Sequence, residues 1–236
     1  MNQNKSENSK REEGTKSETE MEDIQTIVKK KIRSMGNLRG SRIEASKRLE
    51  NYSRKWNFLF FFLNVEAIVI VLLSLTNTVE TVHIGPINMS FSLLSGVFTL
   101  YVILLQYYVN TLNYNERALR LSYHELEVED LIQQLKLLEL KANLSEPDLR
   151  EEEFIEIYDD VVTKYQLVIK NNENHRDLDY KRLKYDSMRR IHEKGQTGEA
   201  LVGKRPKDFT LDVALIYANI ILAIITFCIV FYAFTI

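Results

Sequence analysis

The sequence predicts an all-α membrane protein: an N-terminal transmembrane hairpin, a cytosolic helical region and a third transmembrane helix at the C-terminus. Apolar residues are concentrated in three long blocks, residues 57–75, 89–109 and 213–236, and Glu66 is the only charged residue within them. Each block is long enough to cross about 30 Å of hydrocarbon as a helix. Between the second and third blocks, residues 110–194 are charged and have helical periodicity.

The chain before the first block divides into two segments. Residues 1–23 contain no Leu, Ile, Val or aromatic residue. They cannot bury enough apolar surface to offset the entropy of ordering, so they are predicted to be a disordered tail. Residues 24–56 have apolar residues at helical spacing among many Lys and Arg, with breaks near Gly36 and Gly40. They are predicted to form a basic amphipathic helical segment, in the cytosol or on the membrane surface.

The distribution of Lys and Arg predicts the orientation. Residues 37–56 carry several basic side chains, whereas the connector 76–88 carries no Lys or Arg. Further basic residues follow the second block and precede the third. By the positive-inside rule the N-terminus and residues 110–212 are cytoplasmic, and the C-terminus is outside. The predicted location is the cell inner membrane, as a multi-pass protein.

The cytosolic region is predicted to contain helices with apolar stripes. One stripe follows the second block at seven-residue spacing, as in a coiled coil: Leu121, Val128, Leu131, Leu135 and Leu138. A second stripe lies within residues 147–170: Phe154, Tyr158, Val161, Tyr165 and Val168. The first stripe must pack against the second helix or against another subunit. Residues 195–212 are rich in Gly and are predicted to be a loop before the last block.

Polar residues follow regular rows within the apolar blocks. The second block and the residue after it carry Ser92, Gly96, Thr99, Gln106 and Asn110; the third block and the residue before it carry Asp212, Asn219 and Thr226; the first block carries Asn57 and Asn64. Polar groups are costly in lipid, so these rows are predicted to face protein or water. Two interpretations remain open: a seam that packs helices together, or a seam that lines a pore in an oligomer.

The densest cluster of chemically capable side chains lies in the stretch NNENHRDLDY, at residues 171–180. Its candidate residues are Glu173, Asn174, His175, Asp177, Asp179 and Tyr180. The carboxylates and His175 do not share one helical face at metal-ligand spacing, and no cysteine cluster accompanies them. We therefore expect a polar helix junction, an oligomer contact or a signal-receiving surface. No catalytic, cofactor-binding or metal-binding residue is predicted, and the protein is not expected to be an enzyme.

A second motif imitates a nucleotide-binding site. The stretch GEALVGKR at residues 198–205 resembles a P-loop, but Arg205 occupies the position where a hydroxyl should bind Mg²⁺, and Pro206 follows. Cationic residues before a membrane span explain the charge better. The formal net charge of −2 gives no indication of nucleic-acid binding.

Several features together resemble the SLATT family, the SMODS- and SLOG-associating two-transmembrane effector domains. They are RGSRIEASKRL at residues 39–49, the tight hairpin of two spans, and YQLVIKNNENHRDLDY at residues 165–180. The resemblance covers residues 25–236, and the third span departs from the minimal two-span form.

The resemblance implies a membrane effector of prokaryotic anti-phage conflict systems, which oligomerises and forms a pore or otherwise breaches the inner membrane when a linked sensor detects infection. The implied partners are membrane lipids, further copies of the chain, and a signal from a neighbouring gene product such as a nucleotide cyclase, a nucleotide sensor or a reverse transcriptase. Two other functions remain open: a membrane-anchored scaffold that recruits a soluble partner, and a membrane-tethered hydrolase that uses His175.

Overall fold

The computed structural model describes residues 3–76, 81–84, 87–143, 151–170, 176–193 and 204–235, and the side chains of residues 25–76, 90–142, 152–170, 176–193 and 204–232. The helices are α1 (Gln3–Leu75), α2 (Phe91–Thr111), α3 (Tyr114–Asn143), α4 (Glu151–Lys170), α5 (Asp177–Glu193) and α6 (Leu211–Thr235). Three segments are long and apolar enough to cross a membrane. They lie in α1, in the stretch formed by α2 and α3, and in α6. The predicted fold class is confirmed.

The connector between the first two spans contains a small element that composition did not indicate. Strands β1 (Thr81–Ile84) and β2 (Ile87–Ser90) pair antiparallel, with Thr81 opposite Ser90. The Ser90 hydroxyl then accepts a hydrogen bond from the Leu93 N–H at 3.3 Å, which caps the N-terminus of α2. The hairpin therefore leads directly into the second span.

Helix α1 is longer than the sequence suggests. It begins at Gln3, within residues 1–23 that composition predicts to be a disordered tail, and it continues through Gly36 and Gly40 without a break. Lys and Glu are strong helix formers, and extending a nucleated helix costs little. A glycine inside a helix costs only about 1 kcal/mol. The fully buried side chain of Met35 shows that tertiary packing supports α1 at this point.

The chain forms two compact units. The extramembrane unit comprises residues 1–45 and 120–204, and the membrane unit comprises residues 46–119 and 205–236. In the extramembrane unit the α3 stripe is buried against α1 and α4 in one apolar cluster: Val28 and Met35 of α1; Val128, Leu131, Ile132, Leu135 and Leu138 of α3; Phe154, Val161 and Tyr165 of α4. The α3 stripe therefore packs within the chain, and this surface is not free for another subunit.

The membrane unit contains the apolar part of α1, α2 and α6. Its buried side chains include Trp56, Leu63, Phe98, Val102 and Ile216. Many large apolar side chains on the same helices are exposed, among them Phe58, Phe61, Leu72, Leu93, Leu100 and Ile221. Exposed apolar surface of this extent suits helices whose solvent is hydrocarbon.

Candidate functional site: polar contacts of the membrane helices

The polar row of α6 faces other helices of the membrane unit. The Tyr114 hydroxyl donates a hydrogen bond to Asp212 Oδ1 at 2.7 Å. The Tyr101 hydroxyl donates to Asn219 Oδ1 at 2.5 Å, and the Asn219 amide donates to the Leu215 carbonyl on its own helix. Each of these two residues of the row therefore has a partner in the chain.

The third residue of the row, Thr226, contacts a carboxylate that the sequence analysis left outside the polar seams. The Thr226 hydroxyl lies 2.7 Å from Glu66 Oε2 and donates to it. Glu66 is buried, although it stands in the middle of the first apolar block. A lone carboxylate in such a block indicates a partner within the protein, but the identity of that partner, 160 residues away, could not be read from the pattern.

The polar stripe of α2 lies mainly on the uncovered surface of the membrane unit. Ser92, Gly96 and Asn110 are exposed, and Thr99 and Gln106 are partly buried. The Thr99 hydroxyl donates to the Ser95 carbonyl of its own helix. A Cβ atom added at Gly96 would meet no heavy atom within 4 Å. The α2 stripe thus differs from the α6 row, because three of its five residues are exposed and none of its side chains forms a hydrogen bond to another helix in the described part of the chain.

The first-span residues Asn57 and Asn64 lie in different surroundings. Asn64 donates to the Phe60 carbonyl at 2.7 Å. Asn57 is exposed and lines a groove of about 500 Å³, together with Asn110 of the α2 stripe, Asn113 and Tyr114. The structure thus brings Asn57 and Asn110 together, although the sequence analysis placed them in separate rows.

A pair of tyrosines joins the ends of the membrane helices. The Tyr52 hydroxyl donates to Asp208 Oδ2, and Asp208 Oδ1 accepts from the Thr210 N–H at 3.2 Å, just before α6 begins. The Tyr52 and Tyr114 rings meet edge to face, with centroids 5.6 Å apart. Burial raises the pKa of both hydroxyls, and the hydrogen bonds to Asp208 and Asp212 raise it further. The sequence analysis did not single out these tyrosines.

The junction before α5 is described in part. Glu173, Asn174 and His175 lie outside the described residues. Asp179 is fully buried, and its Oδ2 accepts a hydrogen bond from the Arg176 N–H at 3.0 Å. This is the backward half of a capping box, in which a carboxylate satisfies an N–H at the start of a helix.

The other two candidates of the junction lie on the surface. Asp177 is exposed and forms an ion pair with Lys181 at 2.6 Å, and Tyr180 is 43% exposed. The geometry of the described part of the junction is that of a capped helix start. Among the described residues, no group of three or more His, Cys, Asp or Glu side chains is placed to hold a metal ion.

Comparison with known protein families gives one match. Residues 24–233 match the SMODS and SLOG-associating 2TM effector domain family 5. The chain belongs to this SLATT family. The matched region includes almost all of α6, so the third span is part of the domain and not an appendage to it. Searches of curated proteins and of solved structures find no match.

The two segments that carry the resemblance contribute to the extramembrane unit of this SLATT domain. In the first, Arg39 forms ion pairs with Glu125 at 2.7 Å and with Glu129 at 3.1 Å. A Cβ atom added at Gly40 would lie 2.7 Å from Leu183 Cδ1, so α1 and α5 approach closely there. These contacts give the first segment a structural role in positioning α3 and α5 against α1.

Arg42, in the same segment, is a buried basic residue of the extramembrane unit. Its side chain is 2% exposed, and its Nε and Nη1 atoms have no hydrogen-bond partner among the described residues. Burial lowers the pKa of Arg42, and the nearby Tyr165 and Glu127 oppose this shift. Tyr165 belongs to the second segment of the resemblance, so Arg42 and Tyr165 bring the two segments together.

Proposed function

We propose that this SLATT domain is a membrane effector that assembles from several copies and opens a water-filled path through the inner membrane. The observation that supports this most directly is the uncovered polar stripe of α2. The domain belongs to a family of two-transmembrane effector domains of conflict systems, which supplies the biological setting. In this proposal the effector acts on the membrane without catalysis.

The argument rests on the difference between the two polar rows. The α6 row meets Tyr114, Tyr101 and Glu66 within the chain, so packing accounts for it. The side-chain amide of Gln106, by contrast, has no hydrogen-bond partner in the part of the chain that the structure describes. A polar group in hydrocarbon is costly unless it meets protein or water. A second copy of the chain or a water-filled path would supply a hydrogen-bond partner for the Gln106 amide.

The small residues of the α2 stripe support close approach by a second helix. Gly96 and Ser92 are exposed, and small residues at such positions let helix backbones come near one another in a membrane. Because the α3 stripe is buried within the chain, contacts between copies are assigned to α2 in the membrane. This differs from the alternative, left open by the sequence, in which the α3 stripe packs against another subunit.

The proposed orientation keeps the N-terminus and the extramembrane unit in the cytoplasm and the end of α6 outside. The asymmetry of Lys and Arg around the spans supports it. Reporter fusions test it: an N-terminal fusion should be active only in the cytoplasm, and a C-terminal fusion only outside. A C-terminal reporter active in the cytoplasm would contradict the third crossing.

The activating signal in this proposal comes from a neighbouring gene product, either a protein or a nucleotide. The junction around Asp179 and the exposed Tyr180 are proposed as the surface that receives it. Substituting Tyr180 by Ala should leave assembly in detergent unchanged and weaken toxicity only when the partner gene is present. Equal loss of toxicity with and without the partner gene would contradict this role.

Dye release from sealed vesicles tests the central claim. The purified protein should release dye when it assembles, and cross-linking should detect species larger than a monomer. A scaffold that only recruits a soluble partner would leave the vesicles intact. Strictly monomeric protein together with intact vesicles would overturn the proposal.

Charge selectivity then tests the role of the α2 stripe. In planar bilayers, Gln106→Glu should shift the current toward cations, because a ring of carboxylates favours them. Gln134→Glu, an identical change at an exposed position of α3, is the matched control and should leave selectivity unchanged. An intact assembly in which Gln106→Glu behaves like Gln134→Glu would remove Gln106 from the pore wall.

A further inference from the structure

The membrane unit contains an apolar groove between α1 and α6, with a volume of about 900 Å³. Phe58 and Phe62 line it on α1, and Ile220, Ile224 and Phe227 line it on α6. None of these five side chains is buried, so the groove is open along its length. It is distinct from the α2 stripe, which contributes no residue to it.

The two ends of the groove differ in charge. Arg54 and Lys55 line one end, and the buried carboxylate of Glu66 lies toward the other. Both basic side chains are exposed, and neither forms an ion pair with a carboxylate in the described part of the chain. Lys55 Nζ lies 5.8 Å from the centroid of the Tyr217 ring, which also lines the groove. Two cationic side chains therefore lie at one end of the apolar groove.

The apolar part of the groove is about as long as one leaflet of a bilayer. Beyond Arg54 and Lys55, its lining extends from Phe58 to Glu66 on α1 and from Ile216 to Phe227 on α6. At about 1.5 Å per residue these segments rise about 12 Å and about 17 Å. Half of a hydrocarbon core of about 30 Å is about 15 Å. An acyl chain that enters at Arg54 would thus reach the region of Glu66 near the middle of the membrane.

We propose that this groove binds one phospholipid with an anionic head group, with its phosphate against Arg54 and Lys55 and an acyl chain between α1 and α6. The proposal rests on the proposed orientation, because the cationic end must face the cytoplasmic leaflet, where anionic lipids attract basic residues next to a span. A free phosphate would use the cations but not the apolar walls. A second copy of the chain would use the walls but would need carboxylates opposite Arg54 and Lys55.

The head-group contact is tested by native mass spectrometry of the full chain released from micelles doped with phosphatidylglycerol or phosphatidylcholine of identical acyl chains. One phosphatidylglycerol molecule should remain bound, with at least about tenfold preference over phosphatidylcholine. The double variant Arg54→Gln/Lys55→Gln should lose this preference. Lys30→Gln/Arg33→Gln, which removes the same charge from exposed positions earlier on α1, should keep it.

The acyl contact is tested by filling the groove. Ile224→Trp places a bulky ring in the groove and should reduce retention of both lipids. Ile225→Trp makes the same change at the neighbouring exposed position, which does not line the groove, and should behave as wild type. If Ile224→Trp proves unfolded by circular dichroism, Ile220→Trp takes its place.

Three outcomes would overturn the proposal. Equal retention of the two lipids would show that the cations do not select the head group. Unchanged retention in Arg54→Gln/Lys55→Gln would place the lipid elsewhere. Loss of cross-linked species in Ile224→Trp without loss of lipid would make the groove an interface between copies. Because retention is measured on protein in micelles, this result is independent of dye release and of whether the domain forms a pore.

Discussion

The extramembrane unit and the membrane unit distribute apolar and charged side chains between interior and surface in opposite ways. In the extramembrane unit, Leu135, Val128 and Met35 are fully buried, and the charged pair Asp177–Lys181 lies on the surface. In the membrane unit, Phe58 is 67% exposed whereas Glu66 is 8% exposed. The same chain therefore follows two rules, because water surrounds one unit and hydrocarbon is expected around the other.

The difference shows what holds each unit together. Apolar burial stabilises the extramembrane unit because it removes surface from water. Hydrocarbon offers no such gain, so the membrane helices depend on close packing and on hydrogen bonds between helices. The contacts of α6 through Asp212, Asn219 and Thr226 are of this kind. Substitutions that weaken one of these two sources of stability and not the other test whether the units differ in this way.

The largest effect is expected in the apolar cluster of the extramembrane unit. Leu135→Ala should lower the free energy of unfolding by about 2–5 kcal/mol, because it removes a fully buried side chain and leaves a cavity. Leu137→Ala, at a position 55% exposed on the same helix, should change it by less than about 0.5 kcal/mol. Thermal unfolding followed by circular dichroism measures both. Equal effects would show that the α3 stripe does not pack within the chain.

The next effect concerns the close approach of α1 and α5. Gly40→Val should destabilise the extramembrane unit by about 1–3 kcal/mol, because its side chain collides with Leu183. Gly36→Val introduces the same side chain where a Cβ atom meets nothing within 4 Å. There the gain in helix propensity should leave stability equal or slightly higher. Melting temperatures of the pair, compared with wild type, separate the two sites.

A smaller effect is expected for the polar contact in the membrane unit. A double-mutant cycle of Glu66→Leu and Thr226→Val should give a coupling energy of about 0.6 kcal/mol in detergent, the average for hydrogen bonds between membrane helices, and at most about 1.7 kcal/mol. Thr99→Val is the control partner, because the Thr99 hydroxyl bonds the Ser95 carbonyl of its own helix and forms no hydrogen bond to Glu66, whereas the Thr226 hydroxyl reaches Glu66 as well as carbonyls of its own helix. Its cycle with Glu66→Leu should be additive. Coupling in both cycles would point to a general effect on the membrane unit.

The smallest expected effect is a change in how steeply the free energy of unfolding falls as the pH rises above 10. The unfolded chain releases the Tyr114 proton near pH 10, whereas burial raises the pKa of the folded Tyr114 above that value. The folded state then holds more protons, so stability falls as pH rises above 10. Tyr114→Phe should make this fall less steep, and the raised pKa of Tyr52 should preserve part of it.

The exposed Tyr107 provides the control for that measurement. Tyr107→Phe makes the identical substitution at a side chain that is 71% exposed. The slopes are obtained from denaturant unfolding at a series of pH values above 10. A slope that is identical in Tyr114→Phe and in wild type would contradict the raised pKa.

Periodicity was enough to predict the fold class and several buried faces. Apolar blocks of membrane length predicted the spans, and the seven-residue recurrence of Leu121, Val128 and Leu135 predicted a buried stripe. Local pattern offered the second cytosolic helix as a partner of that stripe but not α1, because Val28 and Met35 lie in a basic segment about a hundred residues earlier. The continuity of α1 through Gly36 was also missed, since propensity is overridden by packing.

The polar contacts were the least predictable part of the candidate site. Spacing predicted the row of Asp212, Asn219 and Thr226, but it carries no information about which tyrosine or carboxylate stands opposite. Asp179 was selected for its chemistry, and the structure gives it a buried capping position. Spacing likewise identified the face of α2 that carries the polar stripe, and the lining of a pore by this face stays a prediction.

The chain contains a single cysteine, Cys228, and it lies exposed on α6. It follows Leu211, the first residue of α6, by 17 positions, which corresponds to about 25 Å along the helix axis. A thiol surrounded by lipid tails is shielded from a reagent that is confined to water. Labelling with a water-soluble maleimide would therefore report whether water reaches this face of α6. The native chain thus carries its own probe of hydration, and no residue has to be introduced or removed to use it.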